Sequence, residues 1–161
     1  MLRMTQNAPC AVKQIFANDE LFPGYCRLRI ALWPDCDEDC LPEALRIGSD
    51  PQQGAAFLAL TAANEPIAFI EVSLRSCAEG SANSPVPFIE GWFVESGYRR
   101  RGVGRALVEA AEQWAGARGF REITSDTQLE NIASIAAHLR LGYQEVERNV
   151  CFLKRIERTG R

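Results

Sequence analysis

Histidine is nearly absent from this chain: one imidazole, His138, serves all 161 residues. A structural zinc site needs several imidazole or thiolate ligands at short spacing, and Cys36 and Cys40 form a lone Cys-x3-Cys with no second pair, so no metal is expected. Long apolar runs are also missing. The longest, such as Gly54 to Leu60 and Val86 to Val94, are too short to span a bilayer, and no basic segment leads into an apolar one at the start. A cytoplasmic protein without membrane contact is expected. Excess positive charge is lacking too: 18 Lys and Arg against 21 Asp and Glu leave a formal net charge of −3. That balance argues against nucleic-acid phosphates as a partner and suits a small cation. The six cysteines, Cys10, Cys26, Cys36, Cys40, Cys77 and Cys151, are scattered, so reduced and mostly buried thiols are expected, Cys77 and Cys151 among them.

What is present is a globular composition, 47% hydrophobic with eight Phe and three Trp, enough for one core. A single domain over residues 1–161 is expected, loose at 1–9 and 157–161. Cys10 to Phe16 reads as a strand, Gly24 to Trp33 as a helix stopped by Pro34, and Asp39 to Ile47 as a second helix. Ala55 to Thr61 and Pro66 to Ser76 form a hairpin, and Val86 to Val94 is the strongest strand. In Gly102 to Arg118, Val103, Leu107, Ala110, Ala111 and Trp114 recur at helical spacing, with Gly119 placed as the terminal cap. A strand at Arg121 to Ser125, a helix at Asn131 to Leu141 and a final strand pair from Tyr143 to Ile156 follow. The order predicts an α/β (α+β) fold, a mixed and mostly antiparallel sheet flanked by helices on both faces.

Arg99-Arg100-Arg101-Gly102-Val103-Gly104, between a strand and a helix start, carries the clearest chemistry. Two glycines permit close backbone approach, the helix start offers unpaired N–H groups, and Arg99, Arg100, Arg101 and Arg105 supply positive charge. The segment is a diphosphate cradle in chemical terms, and is neither a Walker A loop nor the dinucleotide fingerprint. The plainer reading is an ordinary basic helix start.

Arg99-x-x-Gly102-x-Gly104 resembles the coenzyme A loop of the GNAT acetyltransferases. Phe88-Ile89-Glu90-Gly91-Trp92-Phe93-Val94 resembles their fourth strand, and Asn131 followed by Leu141-Gly142-Tyr143 resembles their second CoA motif. The resemblance implies the GNAT fold, acetyl-CoA as co-substrate, and CoA contacts from Trp92, Phe93, Val94, Arg99, Arg100, Arg101, Gly102, Val103, Gly104, Arg105 and Asn131. Leu32-Trp33-Pro34, Phe88 to Gly91, Ser125-Asp126-Thr127 with Glu130-Asn131, and Gly142 to Arg148 look more narrowly like the aminoglycoside 6'-N-acetyltransferases of antibiotic-resistant bacteria. That likeness runs from about Tyr25 to Lys154. It implies Trp33 as a stacking surface, Glu90, Asp126 and Glu147 as acidic contacts with Asp126 nearest the reacting amine, and a homodimer.

A polycationic aminosugar needs carboxylates around its ammonium groups and apolar surface beneath its rings, and this sequence offers both. The plainer readings are core packing for Trp33 and helix capping for Asp126. Glu90 interrupts an apolar strand, where a carboxylate needs a partner. His138 stands where many GNAT enzymes hold a tyrosine proposed to protonate the leaving thiolate, or else merely caps local backbone. No side-chain arrangement suggests an acyl-enzyme, so direct transfer in a ternary complex is expected. The expected base is Asp126, or a water held by Glu90, Asp126 or Glu147, and backbone N–H groups at Phe93 and Val94 polarise the carbonyl. The alternative acceptors are a polyamine or a protein amine.

Overall fold

The computed structural model describes residues 10–35, 44, 46–47 and 49–156. The expected loose ends, Cys36, Cys40 and most of the expected helix from Asp39 to Ile47 lie outside the described residues. Two compact units divide the chain, the first ending at Asp126 and the second starting at Thr127.

The first unit is a sheet of five strands in sequential order: β1 (Ala11–Ile15), β2 (Gly54–Leu60), β3 (Pro66–Arg75), β4 (Val86–Val94) and β5 (Thr124–Ser125). β1 to β4 pair antiparallel, and β5 joins β4 in parallel. Every residue of β2 is buried, so both faces of the sheet are covered. On one face Ile15, Ala56, Leu58, Leu60 and Phe69 pack with Phe22, Tyr25 and Leu28 of α1 (Phe22–Leu32) and with Ala44 and Ile47. Alternation along the strands sends Phe57, Ile70 and Val72 to the opposite face. α2 (Val103–Ala117) lies against β2, β3 and β4 and buries Val103, Leu107, Val108, Ala111 and Trp114.

α1 starts two residues before the expected Gly24, because Pro23 fits the first turn of a helix, where no N–H is required of it. α2 ends as expected: Gly119 takes φ 86°, and the Phe120 N–H donates to the Ala115 carbonyl at 3.2 Å. β5 keeps only Thr124–Ser125 of the expected Arg121 to Ser125, since β4 offers it just two pairing positions.

The second unit holds α3 (Ile132–Arg140), closed by Gly142 at φ 96°. The expected strand pair from Tyr143 to Ile156 is not formed: no residue of that stretch is in a strand. Its apolar residues, including Val146, Val150 and Phe152, are exposed. An apolar alternation marks a chain able to pair, and it becomes a strand only where a neighbouring strand supplies the ladder. The expectation of buried thiols fails with it. Cys151 belongs to this unpaired stretch and Cys77 to the polar loop beyond β3, and both are exposed; Cys10 and Cys26 are partly buried.

Candidate active site

The geometry of the site begins with an irregularity in β4. Glu71 faces Gly91 while the next residue, Val72, faces Ile89, so Glu90 is an extra residue that bulges from the ladder. Pairing with β5 stops at Ile89 and Ser125. From Glu90 to Val94, β4 therefore has β3 on one side and no strand pairing on the other among the described residues. A strand edge freed in this way presents backbone N–H and C=O groups to whatever lies alongside.

Gly91 follows the bulge, and Trp33 explains why it is glycine. A Cβ there would lie 2.4 Å from Cη2 of the Trp33 indole and 3.2 Å from Phe69. The indole is held from below as well. The Arg29 guanidinium sits 5.0 Å from its ring, and Phe69 meets it edge-on at 6.1 Å. Arg29 is buried and bonds Glu71 at 2.6 Å, while the Tyr25 hydroxyl donates to the same carboxylate oxygen. Burial, ahead of the neighbouring Glu71 charge, pushes the Tyr25 phenol well above its ordinary value, so it stays a donor.

Glu90 has the partner that its apolar strand demands. Arg75, the last residue of β3, donates from Nε to Oε1 at 2.9 Å and from Nη2 to Oε2 at 2.5 Å, and the Ser73 hydroxyl also donates to Oε1. Burial alone would raise the Glu90 carboxyl. The Arg75 and Ser73 hydrogen bonds and the Arg75 and Arg46 charges outweigh it and hold Glu90 below the usual glutamate range. The Arg75 guanidinium lies 3.4 Å from the Phe88 ring centroid, and the charges of Asp126 and Glu79 also favour its protonated form. Asp126, exposed at the end of β5, thus belongs to the same electrostatic cluster as Glu90.

Beyond β4 the chain makes a short turn at Ser96–Tyr98 and enters α2 through Gly102 at φ 83°, a left-handed conformation that favours glycine. No side chain caps this helix, and its first turn has no acidic residue. Arg99, Arg100, Arg101 and Arg105 are exposed around it. Arg99 donates from Nε to the Val94 carbonyl at 2.8 Å, which ties the turn back to β4. Gly104 also makes room for Trp92, whose Cζ2 would lie 2.9 Å from a Cβ there.

In the second unit the Asn131 side chain accepts from the Ser134 N–H at 3.1 Å and caps α3. Asp126 stands six positions before α3 and is not its cap. His138 Nδ1 lies 2.8 Å from the Ser134 carbonyl. A carbonyl can only accept, so Nδ1 carries the proton and Nε2 is the basic nitrogen of the neutral ring. Tyr143 meets the imidazole edge-on at 5.3 Å. Glu147 is exposed in the irregular stretch after Gly142.

The first unit thus gathers Trp33, Glu90, Trp92, Phe93 and Val94 around one bulge, with Asp126 in the charge cluster, while Asn131, His138 and Glu147 belong to the second. Reading the sequence missed Ser73, Arg75 and Arg29. Arg75 had a signal: a glutamate inside an apolar strand requires a partner, and in an antiparallel hairpin the end of one strand faces the beginning of the next.

Comparison with known proteins matches residues 18–143 to the acetyltransferase (GNAT) family model, a span that enters both units. An aminoglycoside N(6')-acetyltransferase type 1 of Stenotrophomonas maltophilia is 42% identical over 135 residues, which is 83% of this chain and 87% of that protein. A protein of the same description from Klebsiella aerogenes is 44% identical, over 81% of this chain and 88% of its own length. Among solved structures, AAC(6')-Iy in complex with the bisubstrate analogue CoA-S-monomethyl-acetylneamine superimposes with a TM-score of 0.83 at 32% identity, over 92% of this chain and all of that one. With the family model matched over most of its length and relatives above 40% identity, this chain belongs to the GNAT acetyltransferase family.

Proposed function

We propose that this protein transfers the acetyl group of acetyl-CoA to the 6'-amine of aminoglycoside antibiotics, directly within a ternary complex, and so confers resistance to them. It acts as one cytoplasmic catalytic domain and as a homodimer. The observation that carries the reading is the Glu90 bulge. A strand edge suited to a thioester arm and a face bearing a carboxylate and an indole meet there within three residues. The relatives named aminoglycoside N(6')-acetyltransferase, and the structure of one such enzyme with CoA, support the acceptor and the donor.

The residues fit the donor. Gly102, Val103 and Gly104 open α2 without a side-chain cap, and Arg99, Arg100, Arg101 and Arg105 surround them, so diphosphate charge would meet helix N–H groups and guanidinium groups. Asn131 is proposed as a further polar contact to CoA, on the family likeness of its motif. Trp92, Phe93 and Val94 line the pantetheine arm, and the backbone N–H groups of Phe93 and Val94 polarise the carbonyl. When bound, acetyl-CoA supplies the activated acyl carbon and a thiol leaving group.

Trp33 supports a sugar ring, and Glu90, Asp126 and Glu147 receive ammonium groups. Asp126, or a water held by Glu90, Asp126 or Glu147, takes the proton from the attacking amine. His138, in its doubly protonated form with the Nδ1 proton held by the Ser134 carbonyl, gives its Nε2 proton to the leaving sulfur and is left neutral. Among the described residues, the exposed Cys77 has the Ser76 hydroxyl against its sulfur, at 4.0 Å, and no base beside it, which favours direct transfer.

The test is mass spectrometry of tobramycin or kanamycin after incubation with enzyme and acetyl-CoA. One acetyl group on the 6'-nitrogen is expected; modification elsewhere, or turnover only of polyamines or peptides, overturns the acceptor. Asp126→Asn is expected to reduce turnover about 100-fold with acetyl-CoA affinity retained. An equal loss of both removes Asp126 from its role. His138→Ala is expected to lower turnover about tenfold, and unchanged turnover removes the general acid.

A further inference from the structure

Glu90 is offered above as a carboxylate for the acceptor, yet its oxygens are already engaged. Arg75 covers both through two nearly parallel N–H bonds at 2.9 and 2.5 Å, and Ser73 adds a third donor. This is the strong, bidentate form of a guanidinium–carboxylate pair. The same guanidinium feels the charges of Asp126 and Glu79, so it stands among three carboxylates. Its position is the one that an ammonium group of a polycation would take.

We infer that Arg75 is an internal stand-in for the substrate cation, occupying Glu90 in the free protein and giving way when an acceptor ammonium arrives. The inference rests on the acceptor reading above and deepens it.

Three features make the exchange feasible. The Glu90 carboxylate is fixed, 14% exposed and carried on a strand bulge, whereas the Arg75 side chain is 41% exposed and leaves from the end of a strand on a long stem. Because water and an arriving ammonium both reach the arginine, the exchange replaces one charge-assisted contact to Glu90 by another and leaves the carboxylate paired throughout. A displaced guanidinium also has acidic neighbours to move toward. Without Arg75 the free protein would hold a half-buried carboxylate with only a hydroxyl against it, an arrangement that burial disfavours. Arg75 thus keeps the acceptor carboxylate ionised and oriented before binding. It also subtracts from the affinity of any cation that cannot compete with a guanidinium, which makes it a specificity-determining residue: a polyvalent cation able to engage Asp126 and Glu90 together displaces it, and a monoamine does not.

The experiment compares tobramycin binding to the full-length wild type, Arg75→Gln and Arg75→Lys by calorimetry at pH 8, with melting curves to confirm folding. Arg75→Gln is expected to bind about three- to tenfold tighter than wild type, and Arg75→Lys, which keeps the charge but loses the fork, to fall between. Equal or weaker binding by Arg75→Gln overturns the inference and makes Arg75 a support for Glu90. A gain in Arg75→Gln with none in Arg75→Lys also overturns it, since charge alone then accounts for the effect. Should Arg75→Gln fail to fold, the Arg75 Nε resonance of the wild type decides: a shift on adding tobramycin supports displacement, and an unmoved resonance at saturation overturns it. Acetylation assays separate this outcome from the acceptor reading. Turnover of aminoglycosides without the affinity gain sinks the stand-in alone, and the gain without such turnover sinks the acceptor alone.

Discussion

Glu71 and Glu90 stand on neighbouring strands, each bonded by an arginine, and their surroundings separate them. Glu71 and Arg29 are 1% and 2% exposed at their side chains and share their contact with the Tyr25 hydroxyl beneath the Trp33 indole. Glu90 protrudes from a bulge at the freed edge of β4, and the side chain of its arginine is 41% exposed. The same chemistry serves two purposes. Where both ions are sealed, neither can leave without stranding the other, and the pair sets a fixed floor. Where one ion reaches solvent, the pair can open, and the carboxylate becomes available for binding.

The strongest way to break this contrast is Arg29→Met. It strands a buried carboxylate and is expected to cost about 3–5 kcal/mol in denaturant unfolding. The double variant Arg29→Met with Glu71→Leu is expected to recover most of that loss, because two apolar groups need no partner; a double variant as unstable as the single would show that the pair contributes net stability. Gly91→Ala comes next. Its methyl collides with the Trp33 ring, so a loss of about 1–3 kcal/mol is expected, together with a raised KM for the aminoglycoside at nearly constant KM for acetyl-CoA. An unchanged acceptor KM would remove Trp33 from the acceptor side.

The smallest effect belongs to the outer pair. Arg75→Gln is expected to change stability by less than about 1 kcal/mol at neutral pH, in contrast to Arg29→Met. Its acid limb sharpens the point. The folded Glu90 carboxyl lies below its unfolded value, so its contribution is present above the ordinary glutamate range and is lost as pH falls through and below about 4. Removing Arg75 should flatten unfolding free energy in that window alone, and a curve parallel to the wild type would show that the pair is not linked to folding.

Much of the fold was legible because it is written in local periodicity. The Val86 to Val94 strand has its expected limits, α2 starts and ends within a residue of the expected Gly102 to Arg118, and Gly119 and Gly142 cap their helices at positive φ. The failures concern pairing. Val146, Val150 and Phe152 carry the composition of a strand, but composition names no neighbour. Arg29 and Glu71 lie 42 positions apart and meet only because α1 crosses β3, which periodicity within either element does not encode. At the site, Glu90 was legible as an anomaly in its strand, while Arg75 needed the register of the hairpin. The glycines of the loop were legible in the sequence, while the packing behind one of them was not: Gly102 takes a left-handed turn, and Gly104 lies against Trp92, 12 positions earlier in the chain.

α2 begins without a side-chain cap and without an acid in its first turn, unlike α3, which Asn131 finishes. A helix left incomplete by its own sequence is completed by whatever anion it meets, so its first turn doubles as a gauge of occupancy. Amide exchange at Val103 and Gly104 should slow in proportion to donor saturation, and the chain thereby carries its own signal of how much of it is loaded.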